Sequence, residues 1–132
     1  MPGVLFPDIE AYLIGALAER LAARSESYAH AAWVGNLLPN PRPARAVLVR
    51  DDGGPVLGDV RALARVGVNV WADDLAEVVD LGNLACALLG GLAGDGPVRN
   101  VTVTRPYRVP DDSGQPHVYF TAELTIRSTV VV

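Results

Sequence analysis

The hydrophobic positions of this chain follow two periods. Near the N-terminus Ile9, Leu13, Ala16, Leu17 and Leu21 recur at spacings of three and four, which marks one face of a helix. Pro7 suits a first helical turn, where its missing N–H is no loss. Asp8 and Glu10 stand near the positive end of the helix dipole, and Arg20 and Arg24 near the negative end. The pattern predicts a helix over 7–24. A second helix, over 74–93, opens on Asp74 and Glu77 at the spacing of a capping box and closes on Gly90, Gly91, Gly94 and Gly96. Its apolar positions, from Leu75 through Val78, Leu81, Leu84, Leu88 and Leu89 to Leu92, cover more than one stripe. A helix apolar on two sides is covered on two sides. In a chain this short the second cover is expected to be another subunit; the alternative is a helix sunk in its own core.

Elsewhere the period is two. Val60, Ala62, Ala64, Val66, Val68 and Val70 share one face of a strand. Arg61, Leu63, Arg65, Gly67, Asn69 and Trp71 share the other, which is expected to meet solvent or a polar interface. Residues 117–127 alternate just as cleanly, with Val118, Phe120, Ala122, Leu124 and Ile126 on the apolar side. Shorter strands are predicted over 45–50 and 98–105, and the mixed stretch 28–38 is read as extended. Pro39, Pro41 and Pro43 make residues 39–43 a stiff loop. Asp51-Asp52-Gly53-Gly54-Pro55 is a turn. The link 106–116 is long for a hairpin, and long loops in compact domains are usually functional. The terminal valines 130–132 are expected to continue the last strand or pair with an adjacent edge. The predicted order is α-β-β-β-α-β-β. That is an α/β chain of the α+β kind, with a mixed or antiparallel sheet and two helices packed on it, in a single domain 1–132.

Composition sharpens this picture. Half of the 132 residues are hydrophobic but only 6% are aromatic, so the core is aliphatic. Mean hydropathy is +0.24, an apolar surplus expected to be covered in part by other subunits. The net charge is −4, and all 11 basic residues are arginines. That balance argues against a chain whose main task is gripping nucleic-acid phosphates. A single cysteine, Cys86, excludes an internal disulfide. Glu10, Glu19 and Arg20 interrupt the first apolar stretch, so neither a signal peptide nor a membrane span is expected there.

No catalytic constellation emerges. His30 and His117 have no second ligand at metal spacing and read as solvent-facing strand residues. Cys86 lies among Leu and Ala and reads as a small buried hydrophobe. The glycines after the second helix follow a helix where a phosphate loop would open one, so no nucleotide cofactor is expected. Asp73-Asp74 and Asp111-Asp112 read as a helix start and a turn.

Three stretches carry a likeness. Phe6-Pro7-Asp8-Ile9-Glu10 opens the first helix. Val68-Asn69-Val70-Trp71-Ala72-Asp73 leads straight into the second. The last strand is entered through Asp112-Ser113-Gly114-Gln115-Pro116-His117-Val118-Tyr119-Phe120. With the element order and length, these make the chain, from about residue 5 to 128, resemble the tail terminator (tail completion, head–tail joining) proteins of actinobacterial siphoviruses. The resemblance implies a non-enzymatic virion protein assembled in the host cytoplasm. It implies a homohexameric ring that caps the tail tube protein, ends its polymerisation and offers a docking surface to head-completion (neck) proteins. DNA passes through the lumen only as cargo. No cofactor, metal or membrane is implied. Other neck or tube ring proteins share overlapping folds and form the neighbouring alternative, with a cellular small-ligand module behind them.

Under this reading subunit contacts are expected at Arg61, Arg65, Leu81, Leu84, Leu88 and Leu92. Contacts to tube and neck are expected from the loops through Arg42, Arg45, Asp51, Asp52, Arg108, Asp111 and Asp112.

Overall fold

A computed structural model describes residues 4–131. Its elements in order are β1 (Val4–Leu5), α1 (Ile9–Ala22), α2 (Ser27–His30), β2 (Trp33–Gly35), β3 (Ala46–Asp51), β4 (Arg61–Trp71), α3 (Leu75–Gly90), β5 (Val98–Val103), β6 (Tyr107–Arg108), β7 (His117–Arg127) and β8 (Val130–Val131). The mixed α+β class is as expected. The sheet runs β2-β3-β4-β7-β5, with β6 also paired to β7. All its pairs are antiparallel except β2–β3.

The two strands with the cleanest alternation form the sheet's centre. β4 and β7 pair along their whole length, from Arg61 opposite Arg127 to Trp71 opposite His117. Ala62, Ala64, Val66, Val68 and Val70 on β4, and Val118, Phe120, Ala122, Leu124 and Ile126 on β7, are buried on one face. α1 and α3 lie on that face. α1 inserts Ile9, Leu13, Ala16, Leu17 and Leu21, and its N-cap Asp8 accepts a hydrogen bond from the Ala11 N–H at 3.0 Å. α3 is capped by Asp74, which accepts from the Glu77 N–H at 2.8 Å. Gly82 lets α3 approach β7: a Cβ there would stand 2.6 Å from Val118 Cγ2.

Several expectations are corrected. Leu81 and Leu92 are fully buried in the chain's own core. They have no surface left for a neighbour, so the own-core reading of the second helix holds for them. Leu84 and Leu88 are only partly buried. Residues 27–30 form a helical turn where an extended segment was expected. Val60 precedes its strand and is 61% exposed. The link after β5 is interrupted by β6, which pairs Tyr107 with Tyr119 and leaves a shorter loop over 109–116. Val130 and Val131 pair with Leu5 and Val4, so the chain's own N-terminal strand takes the partner role; Val132 lies outside the described residues.

Candidate functional site

The antiparallel register sorts the three loops to the two ends of the sheet. β3 begins and β4 ends at the same edge, with Ala46 opposite Trp71 and Trp71 opposite His117. The loops 39–44 and 109–116 therefore meet at that end. The chain from Asp51 to Leu57 runs back along β4 instead. The Asp52 and Leu57 N–H groups donate to the Arg65 and Arg61 carbonyls, the Leu63 and Arg65 N–H groups donate to the Pro55 and Gly53 carbonyls, and the tip is carried to the Arg61 end. Eleven residues of β4 at a rise of about 3.3 Å separate the two ends by roughly 30 Å.

One end is locked by a polar cluster. Trp71 is 5% exposed although it lies on the face away from the helices. His117 stacks on its ring, centroids 4.6 Å apart and planes within 8°. The Arg42 guanidinium sits 4.5 Å from the indole centroid, a cation–π contact. Asp111 accepts from Trp71 Nε1 at 3.0 Å and from Arg42 at 3.1 Å. It also accepts from the Ser113 backbone N–H at 3.1 Å and from the Ser113 hydroxyl. Gln115 accepts from Arg42 at 3.2 Å and donates to the Ala44 carbonyl at 3.2 Å. The proline-rich loop and the 109–116 loop thus become one rim.

The electrostatics follow from these contacts. The Ser113 hydrogen bond, opposed by burial and helped by Trp71 and Arg42, holds the Asp111 carboxyl well below the usual carboxylate range. Burial pushes the His117 imidazole down, against the pull of Asp111. Nδ1 of His117 is 3.9 Å from Asp111 and makes no hydrogen bond, while Nε2 meets Asn69 Oδ1 at 2.8 Å. At neutral pH the ring is uncharged, so the short separation from Asp111 is not an ion pair.

These positions revise several sequence expectations. Arg42 and Arg45 are turned inward. Arg45 grips Glu77 of α3 with two hydrogen bonds of 2.8 and 3.1 Å. Asp111 is a hub between loops where a simple turn residue was expected. His117 is buried by its stack, and His30 stands in α2 with Nδ1 2.8 Å from the Ala22 carbonyl. His117 therefore departs from the solvent-facing expectation, whereas His30 is exposed as expected but stands in a helix instead of a strand. Asp51 accepts from the Gly53 N–H at 2.8 Å. Arg108 borders a cleft of about 480 Å³ beside Leu75, Pro110 and His117, and Asp112 is exposed at the loop tip. Trp71, His117, Ser113 and Gln115 were not singled out as a group by sequence. Their only signal is a Trp and a His at matching ends of two well-patterned strands.

The face of the sheet away from the helices remains open along most of its length. Arg50, Arg61, Arg65, Thr102 and Glu123 are exposed on it. Arg65 and Glu123 stand opposite each other with N···O at 3.8 Å, a surface pair of little energetic weight. A cleft of about 440 Å³ on this face is bordered by Asp52, Arg65, Thr102, Thr104, Thr121 and Glu123. It contains no nucleophile paired with a base. The one thiol, Cys86, is buried, pushed up by that burial, and donates to the Thr104 carbonyl at 3.3 Å. Among the described residues no cluster of His, Cys, Asp and Glu side chains is placed to hold a metal ion. No helix among them is long and apolar enough to cross a membrane.

Comparison with known proteins bears on the fold. No protein-family model matches the sequence, and no curated protein does. A solved structure does match. It is a chain of the virion of a native gene transfer agent particle, similar with a TM-score of 0.64 over 92% of this chain and 99% of that one. The fold is shared with a virion chain. At 14% sequence identity the likeness is one of architecture: the same layers and nearly the same extent, built from different side chains.

Proposed function

We propose that this chain is a non-enzymatic structural protein of a phage-like virion, a tail terminator acting as a homohexameric ring. The observation that carries the reading is the near end-to-end match of its fold to a chain of the gene transfer agent virion. The placement of the loops adds support. A ring between a tube and a neck needs two opposite contact surfaces on each subunit. Here the rim of 39–44 and 109–116 stands at one end of the sheet and the 51–60 hairpin tip at the other.

In this reading capping is a matter of unequal ends. One end of the ring matches the exposed end of the last tube ring, and the other offers no further tube-binding surface and receives the neck protein instead. DNA passes through the lumen. Subunit contacts within the ring use Arg61 and Arg65 on the open sheet face and the half-exposed Leu84 and Leu88 on α3. The loops carrying Asp51, Asp52, Arg108 and Asp112 make the contacts above and below.

The test is electron microscopy of the protein alone and mixed with the tail tube protein of the same genome. A sixfold layer on tube ends, with tube length limited, supports the terminator reading. Rings that bind a portal-side protein but leave tube growth unchanged would instead favour a head-closure adaptor. A protein that forms no ring and binds neither partner would overturn both.

A further inference from the structure

The charges of this chain are sorted between its two layers. Residues 8–30 and 73–95, the helical layer, hold nine carboxylates and two arginines, and the rest of the chain holds six carboxylates and nine arginines. The helical layer is therefore acidic, while the open sheet face carries Arg50, Arg61, Arg65 and Arg127 against Asp52 and Glu123.

Internal pairing does not cancel this separation. Arg20 pairs with Asp95 at 2.6 Å, Arg24 with Glu26 at 2.7 Å and Arg45 with Glu77 at 2.8 Å. Among the described residues Arg50 and Arg61 make no ion pair, and Arg65 makes only the 3.8 Å contact with Glu123. Arg61 also stands directly opposite Arg127, a like-charge cross-strand pair that is unfavourable unless an anion comes between. On the other face Glu19 and Asp80 are exposed and likewise lack an ion-pair partner among the described residues. Each face also offers half-buried apolar groups: Leu48, Leu63 and Tyr119 on the sheet, Leu84 and Leu88 on α3.

We infer that the open sheet face of one copy docks on the acidic helical face of a second copy, with Arg61 and Arg65 set against carboxylates such as Glu19 and Asp80. The contact is heterologous, one face meeting a different face, which is the arrangement that generates closed rings. The inference rests on the ring reading and assigns the attraction that builds the ring. Duplex DNA is the weaker occupant, because Asp52 and Glu123 lie within the same face and the whole chain carries −4.

Charge exchange tests it. One variant carries Arg61→Glu with Arg65→Glu, the other Glu19→Arg with Asp80→Arg. All four positions are exposed, and circular dichroism checks that both variants fold. Wild-type protein is expected to self-associate at low salt, with affinity falling about tenfold or more as salt screens the contact. Each variant alone is expected to be monomeric by light scattering, and an equimolar mixture to assemble with the two variants alternating. Folded variants that assemble like wild type would overturn the charge-docking inference while leaving the ring reading standing. So would a mixture that stays monomeric. A wild type that remains monomeric at low salt overturns the inference too, and the tube-capping experiment then decides the ring reading separately. Binding of short duplex DNA through Arg61 and Arg65 without self-association would replace the second copy by nucleic acid.

Discussion

The indole N–H of Trp71 donates to Asp111 at 3.0 Å, which joins the last residue of a central strand to a loop forty residues further along the chain. Through Arg42 and Ser113 the same carboxylate gathers a second loop and its own turn. A largely buried carboxylate with this many donors is stabilising only while all of them are present.

Asp111→Ala leaves the Trp71 N–H without its acceptor and deprives the Arg42 guanidinium of its carboxylate partner, leaving it only neutral acceptors such as Gln115. The expected cost is about 1–3 kcal/mol, read as a lower thermal midpoint. Proteolysis of residues 39–44 and 109–116 should accelerate. If both loops stayed as protected as in wild type, the rim would not depend on this carboxylate.

Stability should fall on mild acidification. His117 has its folded-state pKa below the ordinary 6.5 because of burial, so the unfolded chain takes up the proton first. Protons therefore favour unfolding: the contribution is fully present above about 6.5 and is lost as pH falls toward the folded value. Asp111, also lowered in the fold, acts in the same direction further down, below its ordinary 3.8. Thermal midpoints measured from about pH 7.5 to about pH 5.5 should decline, and His117→Gln should flatten the decline. An equal slope in the variant would assign the effect elsewhere.

Leu88 and Leu92 should behave differently when replaced by Asp. Leu92 is wholly buried, so Leu92→Asp places a carboxylate in the core and should abolish folding, with loss of the far-ultraviolet helical signal. Leu88 is only partly buried, so Leu88→Asp should fold and lose assembly. A folded Leu88→Asp that still forms the wild-type assembly would remove this part of α3 from the subunit contact.

Gly82→Ala tests how closely α3 lies on the sheet. The added methyl would meet Val118 Cγ2 at 2.6 Å, so the helix must lift or Val118 must turn. Overpacking of this kind costs about 1–3 kcal/mol, visible in chemical denaturation. Gly15→Ala, with nothing within 4 Å of the new carbon, is the matched control and should be neutral or slightly stabilising.

The elements with a strong period are legible in the sequence itself. Ile9 to Leu21 recurs as a helix face, and β4 and β7 alternate as half-buried strands, because side-chain direction follows directly from the helical or extended backbone. The cap Asp74 is legible for the same local reason, whereas Asp8, expected inside a helix over 7–24, is the N-cap of a helix that starts at Ile9. β1, β6 and β8 are not, since two-residue strands have no period to read and exist only because β7 or a terminal partner stands beside them.

The rim leaves no such trace. Arg42, Trp71, Asp111 and His117 lie in four separate segments, and their types are ordinary for a loop, a strand end, a turn and a strand start. Likewise Leu81, Leu84, Leu88 and Leu92 look alike in the second helix. Only the tertiary packing separates buried Leu81 on α3 and buried Leu92 in the turn after it from the half-exposed Leu84 and Leu88.

Local sequence determined the two long helices, the central strands β4 and β7 and which of their faces are apolar, because these depend on residues two to four positions apart. The tertiary structure decided which arginines are bound internally and which face outward. It also decided that three loops gather at two opposite ends, and that acidic and basic residues scattered along the chain separate onto two faces. Those outcomes depend on strand register and layer order, which bring together residues dozens of positions apart and leave no period in the sequence.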